Sequence, residues 1–223
     1  MNPLTTPLNQ THKRLGARMV PFAGFEMPLH YGSQLAEHQR VRQAAGVFDV
    51  SHMMITDLSG AQSRSFLRHL LANDVARLES PGHALYSCML NAEGGVVDDA
   101  IVYRLAADRF RLVSNAATRA RVQDWLQQHA EESGVRIERR DDLAMLAVQG
   151  PKARAAADLV LGRLGFDEQA LQALKPFTAV IQNDWLVART GYTGEDGYEI
   201  MLPSAQAESF WQELLDAGVA PCG

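Results

Sequence analysis

The segment Gly191-Tyr192-Thr193-Gly194-Glu195-Asp196-Gly197-Tyr198-Glu199-Ile200 joins two apolar runs that have the composition of β-strands. These runs are residues 185–188 before it and residues 200–202 after it. Glycines spaced three apart permit positive φ angles and a close approach of the backbone to a ligand. Carboxylates beside apolar strands are costly unless hydrogen-bond donors satisfy them. The segment therefore predicts either a solvated hairpin tip or a binding site for a ligand with several N–H donors.

The overall composition is typical of an ordinary soluble globular protein. The chain has 223 residues, of which 47% are hydrophobic and 21% are charged. A net charge of −5 argues against nucleic acid as a partner, because phosphate binding requires clustered Lys and Arg. No apolar run approaches the roughly 18 residues that a membrane-spanning helix needs, so we expect no membrane partner.

The cysteines and histidines predict neither disulfides nor a metal site. The two cysteines, Cys88 and Cys222, have no close cysteine neighbour, and the first residues resemble neither a secretory signal nor a transit peptide. A reducing, cytoplasmic location is the simplest inference. The seven histidines are scattered without the spacing of a zinc site, so we predict no metal.

The order of strands and helices predicts an α+β protein with mixed or antiparallel sheets, because the elements alternate without a strict βαβ repeat. Ser33 is predicted to cap a helix over residues 34–45, and Ser204 a last helix that ends at Gly218. A helix is predicted to start at residues 59–60. The continuous apolar run 143–148 predicts a strand buried on both faces.

Two pairs of adjacent polar residues lie within predicted strands, and neighbours in a strand point to opposite faces. Asp98 and Asp99 should therefore not act as a joint acid-base or metal pair, and Val97 should share a face with Asp99. Each acid lies either at a sheet margin or against a ligand. The same alternation applies to Tyr198 and Glu199, of which one faces a given pocket.

Beyond the glycine-rich segment, five further blocks carry a resemblance to a known family. Together, and in this order, they resemble the aminomethyltransferases, the T component of the glycine cleavage system. These blocks are residues 22–28, 49–53, 91–99, 113–116 and 149–151.

The resemblance implies a fold of two intertwined ferredoxin-like folate-binding subdomains. The first comprises residues 1–53 and 137–223, and the second is an inserted middle subdomain of residues 54–136. Relatives continue into a C-terminal β-barrel domain, which is absent from this chain. We therefore expect a C-terminally truncated protein that is inactive or impaired.

The resemblance also implies a transferase of glycine catabolism and one-carbon metabolism. Its partner is the lipoylated H protein, whose S-aminomethyl group gives its methylene to the co-substrate tetrahydrofolate with release of ammonia. One alternative is a non-catalytic folate-binding regulatory protein on the same scaffold, although the Lys-Gly-Cys-type motif of that group is absent. Another is the folate domain of an enzyme that oxidises dimethylglycine or sarcosine.

Six residues of this chain match the family's functional positions. Asp99 corresponds to the catalytic acid, which orients and polarises the pteridine nitrogens that receive the one-carbon unit. Glu199 corresponds to the acid that accepts two hydrogen bonds from the aminopyrimidinone. The other expected folate contacts are Tyr192, Tyr86, Asn115 and Phe177. Taken without the resemblance, Asn115 is equally well placed to cap a helix, and the tyrosines to lie half-buried in sheets.

Overall fold

The computed structural model describes residues 3–131 and 133–223. The chain divides into two compact units, one formed by Met1–His52 with Asp142–Gly223 and the other by Met53–Asp141. Each unit has its own cluster of buried apolar side chains. The N-terminal and C-terminal parts of the chain therefore form one unit, and the middle unit is inserted between them in the sequence.

The N-terminal part of the first unit has two helices and three strands. Ser33 caps the second helix as predicted, because its Oγ accepts a hydrogen bond from the Ala36 N–H at 3.3 Å. Strands β1 and β2 form an antiparallel hairpin that the sequence analysis did not predict. The elements are α1 (Asn9–Arg14), β1 (Arg18–Phe22), β2 (Phe25–His30), α2 (Gln34–Gln43) and β3 (Gly46–Asp49).

The middle unit is an antiparallel sheet with two helices. Its strands lie in the order β5-β6-β7-β4-β8, and apolar residues of both helices pack with the sheet. The helix predicted from residues 59–60 begins later, at Ser63, because Gly60 adopts a φ of +128° outside the helical region. The elements are β4 (Met54–Ser59), α3 (Ser63–Leu70), β5 (Ala84–Leu90), β6 (Val96–Ala106), β7 (Arg109–Ser114), α4 (Arg119–Ala130) and β8 (Arg136–Arg139).

The C-terminal part completes the first unit with a six-stranded sheet in the order β10-β11-β12-β9-β3-β13. Only the pairing of β13 with β3 is parallel among these neighbours. Every residue of β9 is buried, which confirms the predicted two-sided burial. The elements are β9 (Leu143–Gln149), α5 (Ala153–Arg163), α6 (Glu168–Gln172), β10 (Ala179–Gln182), β11 (Trp185–Ala188), β12 (Gly197–Pro203), α7 (Ala207–Asp216) and β13 (Ala220–Cys222).

The start of the last helix differs from the prediction. Ser204 is the first residue of a 3₁₀ turn, and α7 begins at Ala207. The Ser204 hydroxyl oxygen is buried and has no hydrogen-bond partner among the described residues. Ser204 is therefore not a helix cap, since the intervening 3₁₀ turn separates it from the free N–H groups of α7.

The α+β class with mixed and antiparallel sheets is confirmed. Strand β12 shows the expected alternation, because Tyr198, Ile200 and Leu202 join the core beneath α5 and α7, whereas Glu199 belongs to the opposite face. Within the described ranges, every helix is too short or too polar to cross a bilayer.

Candidate functional site

In the middle unit, Tyr86 and Asp99 are joined by a short hydrogen bond. Strand β5 pairs with β6 so that Tyr86 lies opposite Ile101 and Cys88 opposite Asp99, which puts Tyr86 and Asp99 on the same face of the sheet. The Tyr86 Oη donates to the Asp99 Oδ2 at 2.6 Å. This bond to a carboxylate, followed by slight burial, raises the pKa of Tyr86 to about 12, although 49% of the side chain is exposed. Tyr86 is thus held as a proton donor to Asp99.

Asn115 connects the Asp99 carboxylate to that of Asp98. Its Nδ2 donates to Asp99 Oδ1 and to Asp98 Oδ1, both at 3.0 Å. Its backbone N–H donates to Asp98 Oδ2 at 3.1 Å. The helix-cap alternative is wrong, because α4 begins at Arg119 after Thr118. The prediction that the two acids point apart missed this link through a third side chain.

A β-bulge changes the expected face of Val97. Met89 pairs with Asp98 and Leu90 pairs with Val96, so Val97 is an extra residue in β6. Val97 is buried in the same core cluster as Ala100. The prediction that Val97 shares a face with Asp99 is therefore wrong, because strict alternation fails at a bulge.

In the other unit, Glu199 is a buried carboxylate with one hydroxyl donor. Its side chain lies on β12 opposite Ala188 of β11, and the residue is 6% exposed. The Thr190 Oγ1, just beyond β11, donates to Glu199 Oε2. Burial raises the pKa of Glu199 against the opposing effect of the Thr190 hydrogen bond. Among the described residues, Glu199 forms no salt bridge, so its remaining acceptor capacity is available to a ligand.

The other two acids of the glycine-rich segment are satisfied within the protein. Glu195 Oε1 accepts from the Arg42 Nη1 at 2.8 Å. Asp196 accepts from the Arg189 Nε and Nη2 at 2.8 and 2.9 Å. Against partial burial, the hydrogen bond and charge of Arg189 lower the pKa of Asp196. Two of the three acids are therefore paired with arginines, and Glu199 forms no salt bridge with the described residues.

Tyr192 lies near Glu199 and is anchored through its backbone. Phe48, Ala147 and Glu199 form one row across β3, β9 and β12, and the Tyr192 ring meets the Phe48 ring edge-on at a centroid distance of 5.4 Å. Burial, followed by the charge of Glu199, raises the pKa of Tyr192, while 50% of the side chain stays exposed. Tyr192 therefore offers a partly open aromatic surface close to the buried acid.

Gln149 holds the start of the glycine-rich segment. This fully buried side chain accepts hydrogen bonds through Oε1 from the N–H groups of Tyr192 and Thr193, at 3.3 and 3.4 Å. The sequence analysis missed both Gln149 and Thr190. A polar residue that ends the apolar run of β9 was the available signal for Gln149. Nothing local marks Thr190, since its partner lies on another strand.

The glycines of the segment have different structural roles. Gly194 has a φ of +84°, where side chains other than glycine are strained. A Cβ on Gly197 would lie 2.1 Å from the Val148 carbonyl oxygen of β9. A Cβ on Gly191 would meet no atom within 4 Å. At Gly197, the close approach of the backbone that the glycine spacing predicted is therefore an approach to the neighbouring strand β9.

Phe177 occupies a strained turn in the same unit as Glu199. Its φ is +59°, an uncommon conformation for a bulky residue. Its N–H donates to the Arg189 carbonyl at 2.9 Å, and 40% of the side chain is exposed. The turn precedes β10. The first residue of β10, Ala179, pairs with Ala188 of β11, and Ala188 pairs in turn with Glu199 of β12. The expected contact of Phe177 with folate stays a prediction.

The predicted residues thus form two groups. Asp99, Tyr86 and Asn115 are hydrogen-bonded to one another in the middle unit, and Glu199, Tyr192 and Phe177 belong to the other unit. Within residues 3–131 and 133–223, no three His, Cys, Asp or Glu side chains cluster in a way that would hold a metal ion. Each group offers a carboxylate acceptor with fixed neighbours, and such a carboxylate suits hydrogen-bond donors of the N–H type.

Comparison with known proteins gives one family and two informative structures. A family model for the GCVT N-terminal domain matches residues 8–223. The crystal structure of glycine cleavage system aminomethyltransferase T from Bartonella henselae is 37% identical with a TM-score of 0.88, and covers 98% of this chain and 59% of its own. The heterotetrameric sarcosine oxidase from Corynebacterium sp. U-96 is 18% identical with a TM-score of 0.53, over 82% of this chain and 90% of its own. At that identity, the second likeness shows the fold alone.

Proposed function

The chain belongs to the GCVT N-terminal domain family, and from this premise we propose that it acts as a tetrahydrofolate-dependent aminomethyltransferase of glycine cleavage. Support comes from the likeness to aminomethyltransferase T over 98% of this chain. The chain spans 59% of the length of that protein. The activity, substrates and partner of the whole protein are therefore all part of the proposal.

In the proposed reaction, an H protein presents an S-aminomethyl group on its lipoyl arm. The C–S and C–N bonds of this group break, and its methylene carbon forms two new C–N bonds to tetrahydrofolate. The two N–H hydrogens that tetrahydrofolate loses go to the lipoyl sulfur and to the departing amine. The products are the methylene folate, the lipoyl thiol and ammonia, so no oxidant, metal or protein nucleophile is required.

The observation that carries the proposal is the arrangement around Asp99. Its two carboxylate oxygens accept from different donors, the Tyr86 hydroxyl and the Asn115 amide, at 2.6 and 3.0 Å. Such bonds hold an ionised carboxylate in one orientation. A fixed anion can polarise the substrate N–H groups and receive a proton from them, which lowers the barrier through orientation and electrostatics.

The proposed role of Glu199 is recognition of the aminopyrimidinone of tetrahydrofolate. This ring presents an N–H and an exocyclic amine side by side, and one carboxylate can accept both. Glu199 suits that task because it is buried, has one hydroxyl donor and forms no salt bridge with the described residues. The half-exposed Tyr192 ring adds an aromatic surface for stacking. These donors and acceptors support the proposed folate site.

The proposed partner follows from the same reaction, and the proposed location from the two widely separated cysteines. A lipoylated H protein is the donor of the aminomethyl group, and the cytoplasm is the proposed compartment. Electrostatic guidance by basic side chains is expected for the encounter, because such steering raises association rates.

The test measures two properties of the full-length protein. Calorimetric titration gives the affinity for tetrahydrofolate, and ammonia release from aminomethyl-loaded H protein gives the transfer rate. Asp99→Ala and Glu199→Ala are each expected to lower the transfer rate by more than about tenfold, the lower end of the effect of a positioned acid or base. Asp124→Ala, a change at an exposed acid in α4, is the matched control.

The outcomes separate the possible functions. Wild-type turnover in both site variants would remove the site assignment. Tetrahydrofolate binding without ammonia release would favour the non-catalytic folate-binding alternative. Absence of both binding and release would refute the proposal.

A further inference from the structure

We propose that Asp98 is a positioning residue that fixes the Asn115 amide and, through it, the Asp99 carboxylate. The inference rests on the proposed function for its kinetic part. Asp98 is 5% exposed, and both of its carboxylate oxygens accept hydrogen bonds from Asn115. It therefore acts through Asn115 and is not itself expected to touch the folate.

Both oxygens of Asp98 are used by the same residue. Oδ2 accepts from the Asn115 backbone N–H at 3.1 Å, and Oδ1 accepts from its Nδ2 at 3.0 Å. A carboxylate only accepts, so it selects the orientation in which the side-chain amide presents its NH₂ group. Asp98 thereby helps to fix the rotamer of Asn115 and the end of its amide that faces the two acids, together with the carbonyl and carboxylate oxygens of Asp99, which accept from the same Nδ2 at 3.2 and 3.0 Å.

The selected NH₂ group is the one that reaches Asp99. The Asn115 Nδ2 donates to Asp99 Oδ1 at 3.0 Å, while Tyr86 donates to Oδ2 at 2.6 Å. If the amide of Asn115 turned over, its carbonyl oxygen would face the Asp99 carboxylate. Two acceptors at hydrogen-bond distance repel each other, so Asp99 would leave its present position.

The substitution Asp98→Asn removes this control with little change of volume. An amide has one oxygen where the carboxylate has two, so one of the two Asn115 N–H groups that now meet separate oxygens would face an NH₂ group. The competing interpretation is that Asp98 only stabilises the turn between β7 and α4 through the Asn115 N–H. That role would lower the stability of the protein and leave the turnover of folded molecules unchanged.

A double-mutant cycle distinguishes the two interpretations. Steady-state ammonia release is measured for wild type, Asp98→Asn, Asn115→Ala and the double variant of the full-length protein. Asp98→Asn is expected to lower kcat by about tenfold with a smaller change in the KM for tetrahydrofolate, as for an interaction that matters in the transition state. In the Asn115→Ala background, the same change is expected to cost less than about threefold, because the residues form one network.

A second readout does not depend on the proposed reaction. The hydroxyl of Tyr86 is titrated by ¹³C NMR of tyrosine Cζ, with Tyr86→Phe to assign the resonance. The hydrogen bond to Asp99 raises the pKa of Tyr86 to about 12. In Asp98→Asn and in Asn115→Ala, the midpoint is expected to fall towards the ordinary tyrosine value of about 10. Circular dichroism at each pH verifies that the protein is folded.

The matched control is Asp74→Asn in the same unit. Asp74 also holds a backbone N–H, accepting from Ala76 at 2.9 Å, but it lies outside the Asp99 network. The Asp74→Asn substitution should change neither kcat nor the titration midpoint of Tyr86.

Each outcome decides the proposal. Coupled losses of kcat and a lowered Tyr86 midpoint support it. Additive losses, or an unchanged Tyr86 midpoint in both variants, overturn it. If the wild-type protein releases no ammonia, the proposed function fails and the Tyr86 titration still decides whether Asp98 positions Asp99. If Asp98→Asn does not fold, the Asn115→Ala variant still tests the proposal. A Tyr86 titration midpoint equal to that of wild type in this variant rejects the link between Asn115 and Asp99.

Discussion

Replacing Gly197 by alanine tests whether the glycine-rich segment is shaped by strand packing. Gly197 begins β12 and pairs with Gln149 of β9 in the six-stranded sheet. A Cβ at this position would lie 2.1 Å from the Val148 carbonyl oxygen and 2.8 Å from the Gln149 Nε2. The carbonyl belongs to the backbone of a buried strand, so it cannot turn away as a side chain would.

The size of the effect follows from that distance. Carbon and carbonyl oxygen normally approach to about 3.3 Å, so the two strands must separate locally by roughly 1 Å. Overpacking of a buried site costs about 1–3 kcal/mol, and a clash with a central strand belongs at the upper end. We therefore expect Gly197→Ala to lower the free energy of unfolding by about 3 kcal/mol, or Tm by roughly 6–12 °C.

Urea denaturation followed by circular dichroism measures this change. Gly191→Ala is the matched control in the same segment, because a Cβ there meets no atom within 4 Å. It should leave the free energy of unfolding within about 0.5 kcal/mol of wild type. The reasoning is refuted if Gly197→Ala is as stable as wild type, or if the control is equally destabilised.

Three further changes test the buried polar groups of the first unit. Asp49 accepts hydrogen bonds from Thr6 and His12 at 2.6 and 2.9 Å, and despite burial these bonds lower the pKa of Asp49. Asp49→Asn should therefore lower the free energy of unfolding by on the order of 2 kcal/mol near pH 7. Because the pKa is lowered on folding, this difference should shrink as the pH falls below about 4, as urea denaturation across pH would show. Burial raises the pKa of Glu199, so its contribution to stability should decline as the pH rises above about 4.5, and the decline should be smaller in Glu199→Gln than in wild type. Gln149→Leu removes the acceptor of two N–H groups and should weaken tetrahydrofolate binding about tenfold by calorimetry.

Exposed counterparts serve as controls for the changes at Asp49 and Gln149. Asp216→Asn and Gln172→Leu alter exposed side chains of α7 and α6, and each should behave as wild type in the corresponding assay. A pH-independent deficit in Asp49→Asn would contradict the lowered pKa. If the stability of Glu199→Gln depends on pH in the same way as that of wild type, the raised pKa of Glu199 is contradicted. Wild-type affinity in Gln149→Leu would show that the segment does not need its anchor.

Features that depend on a few neighbouring residues were predictable. The Ser33 cap, the fully buried β9 and the opposite directions of Tyr198 and Glu199 all follow from local sequence. The predictions that were wrong have local causes that single residues do not reveal. A 3₁₀ turn displaces the start of α7 from Ser204, and a bulge turns Val97 towards the core.

The amino-acid sequence by itself determined many of the strands and helices and which residues carry acceptors, because periodicity and capping act over a few residues. Which acids remain available was decided only by the tertiary structure. Arg42 neutralises Glu195 across 153 positions of sequence, and Asn115 reaches Asp98 across 17. Whether a carboxylate is paired depends on which strands and helices meet, and that pairing leaves no pattern in the local sequence.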